Sequence, residues 1–364
     1  MPQRCNVSPR LAAAGLLACA VLCAGPASAE MKEFRDWIAA CDNTRTCNAY
    51  GFDADVFGNA YLRLERGGAA DAPLNIIVAV SVEDGATFKL TFDDPKLTGL
   101  PTEALAGAAS DGDDLRRLVV SEPQAVETLL ASLRKAKKLV VTRIDAPGAA
   151  PSDPRTTEIS LSGLAAALLW IDDQQKRVGT LTALIGRGDK AASTVPPPPA
   201  LPAVTAAKVP AEPKAGKAST AVLAKARAAC ADKTIAEAED ATRLSANEVM
   251  YWFVCKEQSG AYNMLYALLI DSPGKPVRQV EFKLPREAVR QGQRGVETDM
   301  NPGFDESTQT LTLLNKGRGI GDCGQTSDWV WDGREFRMIA AKEMPTCKGV
   351  APSDWPVLYR AQRK

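Results

Sequence analysis

Hydrophobic and polar residues alternate in several short runs along the first half of the chain. Tyr61–Glu65 and Thr87–Phe92 alternate with the period of two that is typical of a half-buried strand. Asn75–Val82 is continuously apolar enough for a buried strand, and Leu139–Ile144 and Thr157–Leu161 are further strand candidates. The first half is therefore predicted to contain a sheet.

Two segments between these runs have a helical spacing of apolar residues. The stripes are Val126, Leu129, Leu130 and Leu133 in the first segment and Leu164, Leu168, Leu169 and Ile171 in the second. Ser121 and Gln124 are predicted to form a capping box at the start of the first helix, and Ser162 to cap the second. Strands and helices in this order predict an α+β domain.

The second half begins with an alanine-rich helix, predicted over Ala221–Ala231, and continues mainly with strands. The strand candidates are Met250–Val254, Met264–Ile270, Gln279–Leu284 and Thr308–Leu314. Trp329–Trp331 and Glu335–Ile339 alternate on either side of Asp332-Gly333, a dipeptide that favours a two-residue hairpin turn. This half is predicted to be β-rich and mostly antiparallel.

A proline-rich segment separates the halves. Residues 191–218 contain four consecutive prolines, Pro196–Pro199, among Ala, Val, Lys and Thr, a composition that favours extended polyproline II. We predict two α+β domains, each mainly antiparallel β with a few helices, over residues 31–190 and 219–364, joined by a Pro/Ala-rich linker over residues 191–218.

The first 29 residues have the pattern of a cleavable signal peptide. Arg4 and Arg10 precede an uncharged apolar run, Leu11–Gly25, and a small-x-small site ends at Ala29. The run is shorter than the roughly 20 residues that span a bilayer. We predict cleavage after Ala29 and a periplasmic location. Lipidation at Cys19, in a loose lipobox, is the alternative.

Composition excludes several classes of function. Removing residues 1–29 leaves 42 basic and 44 acidic residues, a net charge of −2, which offers no footprint for nucleic acid. No later segment is apolar for 18 residues, so no transmembrane segment is predicted. The chain contains no histidine, which excludes Ser-His-Asp, Cys-His and histidine-zinc sites.

Six cysteines remain after the predicted cleavage, and an even number in an exported chain predicts disulfides. Cys41 and Cys47 stand alone in the first half and are predicted to pair. Cys323 and Cys347 flank the predicted hairpin at its open end and are also predicted to pair, which leaves Cys230 with Cys255. No C-x-x-C spacing supports a zinc site, and no metal or other cofactor is predicted.

Two features of the second half are candidate binding sites. The glycine-rich loop Gly317–Gly324 carries Arg318 and Asp322 and could hold an anion, or it could be a tight turn that brings Cys323 to its disulfide. Trp329 and Trp331 share one side of the hairpin strand. They could stack on a sugar or peptide, or pack in the core.

The first half has two acidic candidates. Asp172 and Asp173 end a helix, where the dipole disfavours anions, so they could bind a cation, contact Arg177 or serve as an acid–base pair. The alternative is a solvated helix end. Asp53 and Asp55 superficially resemble a calcium loop, but Phe57 stands where an oxygen ligand is needed, and we reject an EF-hand.

Five motifs taken together resemble a known family. They are FRDWIAACDNTRTC at 34–47, DDQQKRVGTLTAL at 172–184, GAYN at 260–263, GRGIGDCG at 317–324 and WVWDGREF at 329–336. The set resembles the bacterial family designated domain of unknown function 1176 over nearly the whole mature chain. The opening F-x-D-W with a nearby cysteine is also similar to the invasion-associated locus B proteins. The resemblance implies a periplasmic protein and transfers no catalytic residues.

The sequence favours a non-catalytic periplasmic module that binds an envelope protein or a glycan, because no nucleophile motif has its supporting partners. Two alternatives stay open: a carboxylate-based hydrolase of cell-wall or glycan substrates, and an inhibitor of another enzyme.

Overall fold

The structure of the chain is a computed structural model that describes residues 29–53, 58–81, 86–101, 108–109, 115–148, 156–208, 210, 215–288 and 300–364. Residues 1–28 of the predicted signal peptide, Cys19 among them, and Asp55 and Phe57 of the rejected calcium loop lie outside the described residues. No helix in the described ranges has the length and apolar character needed to cross a membrane.

The first half forms two antiparallel sheets, as its alternating runs predict. Its strands are β1 (Glu30–Phe34), β2 (Trp37–Cys41), β3 (Cys47–Phe52), β4 (Ala60–Arg66), β5 (Leu74–Ser81), β6 (Thr87–Phe92), β7 (Ala108–Ala109), β8 (Leu115–Val120), β9 (Lys138–Ile144) and β10 (Thr156–Ser160). Seven strands form one sheet in the order β1-β2-β3-β4-β5-β8-β7, and three form the other in the order β10-β9-β6. The hairpin of β2 and β3 was not predicted.

Helix α1 (Pro123–Leu133) and helix α2 (Leu164–Gln174) complete this half, and both predicted caps are wrong. Glu122, not Ser121, caps α1, because its carboxylate accepts hydrogen bonds from the backbone N–H groups of Gln124 and Ala125. Gly163 precedes α2 with a φ of 108° and no side-chain cap, so Ser162 lies outside the helix. Both helices bury most of their apolar stripes in the core between the two sheets, but Leu169 of the second stripe is 44% exposed.

The proline-rich segment contains little regular structure. A 3-10 turn spans Ala192–Thr194, and β11 (Ala203–Val204) pairs in parallel with the end of the chain. Arg45 in the first half donates a 2.6 Å hydrogen bond to the carbonyl of Pro197. The role of residues 191–218 as a spacer between two domains stays a prediction.

The second half contains one helix, α3 (Thr220–Ala229), and two antiparallel sheets among its described residues. The strands are β12 (Asp240–Ser245), β13 (Glu248–Val254), β14 (Tyr266–Asp271), β15 (Arg278–Gln279), β16 (Gly303–Asp305), β17 (Thr310–Lys316), β18 (Gly324–Trp331), β19 (Phe336–Met344), β20 (Val357–Arg360) and β21 (Gln362–Arg363). One sheet has the order β12-β13-β14-β15 and the other β16-β17-β18-β19-β20. The chain is thus α+β and mostly antiparallel, as predicted.

Two predicted details of this half need correction. The strand predicted over Gln279–Leu284 is only the two-residue β15, Arg278–Gln279. The hairpin of β18 and β19 closes at the pair Trp331–Phe336, so its loop is four residues, Asp332–Glu335, and not the two-residue Asp-Gly turn. The Asp332 carboxylate accepts hydrogen bonds from the backbone N–H groups of Arg334 and Glu335, which stabilises the longer loop.

The structure confirms three disulfides. They link Cys41 to Cys47, Cys230 to Cys255 and Cys323 to Cys347, which is the predicted pairing. Cys323 and Cys347 stand just outside the two ends of the β18–β19 hairpin. The bridges Cys41–Cys47 and Cys323–Cys347 connect segments that antiparallel pairing already places side by side, whereas Cys230–Cys255 links the end of helix α3 to the residue after β13.

A buried apolar cluster joins the two halves of the chain. Tyr50, Phe52 and Tyr61 from the first sheet pack in one cluster with Met344 and Trp355 from the second half. This seam lies on the face of the seven-stranded sheet opposite to the one that packs on α2, because alternate residues of β2 and β3 point to opposite faces. The start of β2 and the end of β3, which lie side by side, thereby come close to the segment that follows β19.

Candidate functional site

A cleft of about 480 Å³ lies where the seven-stranded sheet, the three-stranded sheet and the segment after β19 meet. Its walls come from β1–β2 and the end of β3, from β9 and β10 of the three-stranded sheet, and from residues 346–348 after β19. The lining residues are Glu33, Arg35, Asp36, Trp37, Ile38, Phe52, Asp53, Lys138, Glu158, Ser160, Thr346 and Lys348. A volume of this size is within the range of small-molecule sites.

Asp53 is the most buried charged residue in this lining, with 2% of its surface exposed. It follows β3 and forms an isolated bridge with Ile159, which places it against the three-stranded sheet. Its Oδ2 accepts hydrogen bonds from the N–H groups of Asn59 (2.7 Å) and Ala60 (3.2 Å) and from the Thr157 hydroxyl (3.0 Å). These contacts hold the carboxyl group in one orientation.

The second oxygen of Asp53 has different surroundings. Oδ1 is shielded from water and has no hydrogen-bond partner. Burial raises the pKa of the Asp53 carboxyl, although the donors on Oδ2 and the charge of Lys348 act in the opposite direction. A buried acceptor without a donor is costly, and such atoms are rare in folded proteins. A donor or cation at this position would remove that cost.

The rim of the cleft carries charges of both signs. Lys138 forms a 2.5 Å ion pair with Glu158, and the Ser160 hydroxyl donates a 2.7 Å hydrogen bond to Asp36. Arg35 lies in the tight turn between β1 and β2 with a φ of 55°, and its guanidinium makes one 3.4 Å hydrogen bond to the Ser162 hydroxyl. Arg35 forms no ion pair within the described part of the chain.

The cleft brings one serine close to one lysine. Ser160 and Lys138 are register partners on β10 and β9, which is the proximity that a Ser-Lys pair would need. The hydrogen bond and charge of Glu158 raise the pKa of Lys138, so the ammonium keeps its proton and cannot act as the base for Ser160.

Among the described residues, one group of side chains has the spacing of a metal site, but two of its three residues cannot act as ligands. Asp322, Cys323 and Cys347 bring three ligand-type atoms within 4.8 Å of one another. Cys323 and Cys347 are joined as a disulfide, and a metal needs free thiolates.

Arg318 and Asp322, which were considered as binding residues, contact each other in the structure. Arg318 donates from Nε and Nη2 to the two carboxylate oxygens of Asp322, which also accepts a 2.7 Å hydrogen bond from the N–H of Gly349. Arg318 and the Gly349 N–H hold the pKa of Asp322 below its ordinary value against the effect of burial. The ion pair stabilises the glycine-rich loop beside the Cys323–Cys347 disulfide, and its two charges neutralise each other.

Trp329 and Trp331 cannot stack on an external ligand, because both side chains are fully buried in the second-half core. Trp329 packs against Phe282 with ring centroids 4.8 Å apart, and Trp331 packs against Phe336 at 5.2 Å. The guanidinium of Arg278 lies over Trp331. Alternation places both indoles on the inner face of β18, which corrects the exposed interpretation.

Asp172 and Asp173 do not form a catalytic pair, because α2 directs them to different surroundings. Asp173 is exposed, whereas Asp172 is fully buried and accepts hydrogen bonds from the backbone N–H groups of Leu184 (2.8 Å), Ile185 (2.8 Å) and Gly186 (3.1 Å). Asp172 therefore anchors the segment after the helix, a role that differs from the cation site and the solvated helix end considered from the sequence.

Arg177 is also fully buried, and it binds backbone carbonyls. Its Nη1 donates to Ala70 O at 2.8 Å and to the Thr182 hydroxyl at 3.0 Å, and its Nε donates to the Gln175 side chain at 3.0 Å. Burial, followed by the charge of Arg177, lowers the pKa of neighbouring Arg66 to about 10. The buried Asp172, Gln175 and Arg177 of the 172–184 motif thus hold neighbouring segments of the first half together.

Sequence reasoning placed Asp53 only in a rejected calcium loop and did not single out Arg35. The useful signal was an acidic residue directly after a buried strand, followed by Gly58 and Asn59, whose backbone returns to it. The pairing of β3 with β4 and the approach of Thr157 across sheets decide the burial of Asp53, and neither follows from local sequence.

Comparisons with known proteins find one family model and an uncharacterised relative. A family model described as "Protein of unknown function (DUF1176)" matches residues 31–362. The "Uncharacterized protein YpfG" of Escherichia coli (strain K12) is 29% identical over 367 residues, which cover 94% of this chain and 96% of the relative. No solved structure matches the chain. The similarity to invasion-associated locus B proteins is not shown by these matches.

Proposed function

The chain belongs to the DUF1176 family of proteins of unknown function, and we propose that it is an exported, non-catalytic binding protein of the bacterial periplasm that holds a small ligand in its interface cleft. Export is supported by the signal-peptide pattern of residues 1–29 and is compatible with the three disulfides. The observation that carries ligand binding is Asp53, a buried carboxyl with one unpartnered oxygen among the lining residues.

The position of the cleft also supports a binding role. Lining residues come from the seven-stranded sheet, the three-stranded sheet and the segment containing Thr346 and Lys348, so a ligand there contacts both halves of the chain. Sites at the junction of separate structural units are common among small-molecule binders. Strands β1, β2, β3, β9 and β10 supply seven of the twelve lining residues, and side chains on strands are held in place before a ligand arrives.

Binding is favoured over the carboxylate-hydrolase alternative for a local reason. Glu158 is neutralised by Lys138, and Asp36 accepts the hydrogen bond of Ser160, so two of the acidic groups in the cleft already have partners. The carboxylates for which a hydrolytic role was considered, Asp172 and Asp173, lie elsewhere and have different burial.

The proposal is tested by ligand-observed NMR on the chain without residues 1–29. The probe is a mixture of amino acids, dipeptides, mono- and disaccharides and polyamines. Wild type and the control D173N should bind at least one compound class, which is detected as saturation transfer to the resonances of that compound. D53N should weaken that binding about tenfold, because one charge-assisted hydrogen bond is lost. Equal binding by D53N and wild type would refute the assignment of the ligand to this cleft. Turnover of a bound saccharide would show that the chain is a hydrolase and not a non-catalytic binding protein.

A further inference from the structure

The proline tract, Pro196–Pro202, is a surface that the cleft does not use. Pro196, Pro197 and Pro198 are exposed, and Leu201 keeps 43% of its surface exposed. We infer that residues 198–201 of this tract are a docking segment for a second protein whose groove is lined by aromatic side chains. The inference is independent of the ligand proposed for the cleft, because none of the residues that line the cleft belongs to the tract.

Covalent geometry restricts the conformation of the tract. Five of its seven residues are proline, whose ring holds φ at about −65°, and a residue that precedes proline is biased toward extended conformations. Val195, directly before the tract, has a φ of −70° and a ψ of 121°, which are close to the angles of polyproline II. The tract is therefore stiff before any partner binds, and its binding costs little conformational entropy.

Both ends of the tract are attached to the folded chain. At the first end, Arg45 donates hydrogen bonds to the carbonyls of Pro196 (3.5 Å) and Pro197 (2.6 Å). At the other end, the Gln362 N–H donates a 2.7 Å hydrogen bond to the carbonyl of Pro202, directly before β11 pairs with β21. The two attachments hold the tract in place and leave its middle to a partner.

Residues 198–201, between these attachments, have no hydrogen-bond partner within the described part of the chain. Their four carbonyls are thus unused acceptors beside exposed apolar side chains. Aromatic-lined grooves bind proline-rich segments in the preformed polyproline II conformation, and the O–H of tyrosine and the N–H of tryptophan place a donor beside an apolar ring. The middle of the tract offers the complementary groups.

Charge and composition narrow the choice of partner. Residues 191–207 contain no charged side chain, so a groove that depends on ion pairs with the segment does not fit. A second copy of this chain does not fit either, because Tyr262 is the one aromatic residue among the exposed large hydrophobic residues of the described ranges. A different protein with an aromatic, uncharged groove satisfies both observations.

Isothermal titration calorimetry with three recombinant modules tests the inference. The modules are an SH3, a WW and an EVH1 domain, which bind proline-rich segments in aromatic-lined grooves. At least one module should bind the chain without residues 1–29, and P198S/P199S should weaken that binding at least about tenfold, because the stiff ring surface is lost. R45Q frees one end of the tract and should weaken binding about three- to tenfold, because the segment must then be ordered on binding.

The control P273S/P276S removes two exposed prolines outside the tract and should bind each module as wild type does. Neither double variant removes a hydrogen bond of the replaced prolines or a buried side chain, so both should unfold at the wild-type urea concentration. Failure of all three modules to bind the wild-type chain overturns the inference, and so does binding that P198S/P199S leaves unchanged. Equal binding by R45Q and wild type would contradict the contribution of the anchored end.

Discussion

Arg117 Nε donates a 2.8 Å hydrogen bond to Asp354 Oδ2 and thereby connects residues that are 237 positions apart. Asp354 also accepts hydrogen bonds from Arg63 Nη1 at 3.0 Å and from the Tyr61 hydroxyl, and its backbone carbonyl accepts one from Tyr50 at 2.6 Å. Burial, followed by the charge of Asp354, raises the pKa of Tyr61 above its ordinary value. Through its carboxylate and its backbone carbonyl, Asp354 of the second half thus binds four side chains of the first sheet.

Replacing Asp354 should destabilise the chain strongly. In D354A, Arg63, Arg117 and Tyr61 lose their shared acceptor in a mostly buried seam. Removing one partner of a buried ion pair typically costs about 3–5 kcal/mol, and we expect a loss of about 3 kcal/mol because the arginines keep some exposure. Urea unfolding measures the loss. D173N is the control, and a D354A curve that overlays the wild-type curve would contradict the role of this carboxylate.

The seam should also hold the halves together after the chain is cut. A protease site introduced in the proline-rich segment near Pro199 allows cleavage of the folded protein. We expect the two fragments to elute together in size-exclusion chromatography, because the apolar cluster around Trp355 and the Asp354 contacts do not depend on that connection. Separation of the fragments without denaturant would instead show two independent domains.

Asp172 and its neighbour Asp173 form a matched pair for a stability test. D172A leaves three backbone N–H groups without their acceptor, whereas D173N changes an exposed side chain. An unsatisfied buried group costs about 1–3 kcal/mol, so we expect D172A to lose roughly 3 kcal/mol or more and D173N less than about 0.5 kcal/mol. Thermal and urea unfolding compare the two variants, and similar losses in both would disprove the anchoring role.

The Cys41–Cys47 disulfide should contribute less to stability than the Cys230–Cys255 disulfide. The bridge between Cys41 and Cys47 closes a separation of 6 residues, and that between Cys230 and Cys255 a separation of 25. Loop entropy predicts about 2 kcal/mol for the first and about 3.5 kcal/mol for the second. Paired Cys→Ala variants, compared by urea unfolding, measure this order. Intact-mass analysis after alkylation without reductant should detect no free thiol in the chain without residues 1–29.

Asp53 should make stability fall as the pH rises above its ordinary pKa. Its pKa is raised in the folded state, so the folded protein retains that proton where the unfolded chain, with a pKa of about 3.9, has lost it. The contribution is therefore complete below about pH 3.9 and is lost as the pH rises through the folded pKa.

The variant D53N does not titrate and provides the comparison. Wild type and D53N should differ least near pH 4, and D53N should gain stability relative to wild type between about pH 4 and 7. Urea unfolding at both pH values measures the change. A difference that is constant with pH, or that grows in favour of wild type, would contradict a raised pKa.

The sequence by itself determined the features that depend on local chemistry. Periodicity located the strands β4 and β6, because side chains of a strand alternate between two faces whatever the partner, and the apolar run Asn75–Val82 located β5. Cysteine number and spacing led to the three disulfide pairs. The helices were predicted correctly, but their N-caps were not. Glu122 and Gly163 occupy the cap positions in place of the adjacent Ser121 and Ser162, because backbone geometry and not residue type decides which residue caps a helix.

Only the tertiary structure decided what the charged residues do. Asp172 and Asp173 are identical in type and adjacent in sequence, yet packing buries one against residues 184–186 and leaves the other in solvent. Asp53 becomes a candidate site because strands far apart in sequence converge around it, and Asp354 becomes a buried hub because a segment 237 residues beyond Arg117 folds back onto the first sheet. Burial and partners of a charge depend on which distant segments meet, and such long-range contacts leave no periodic pattern in the local sequence.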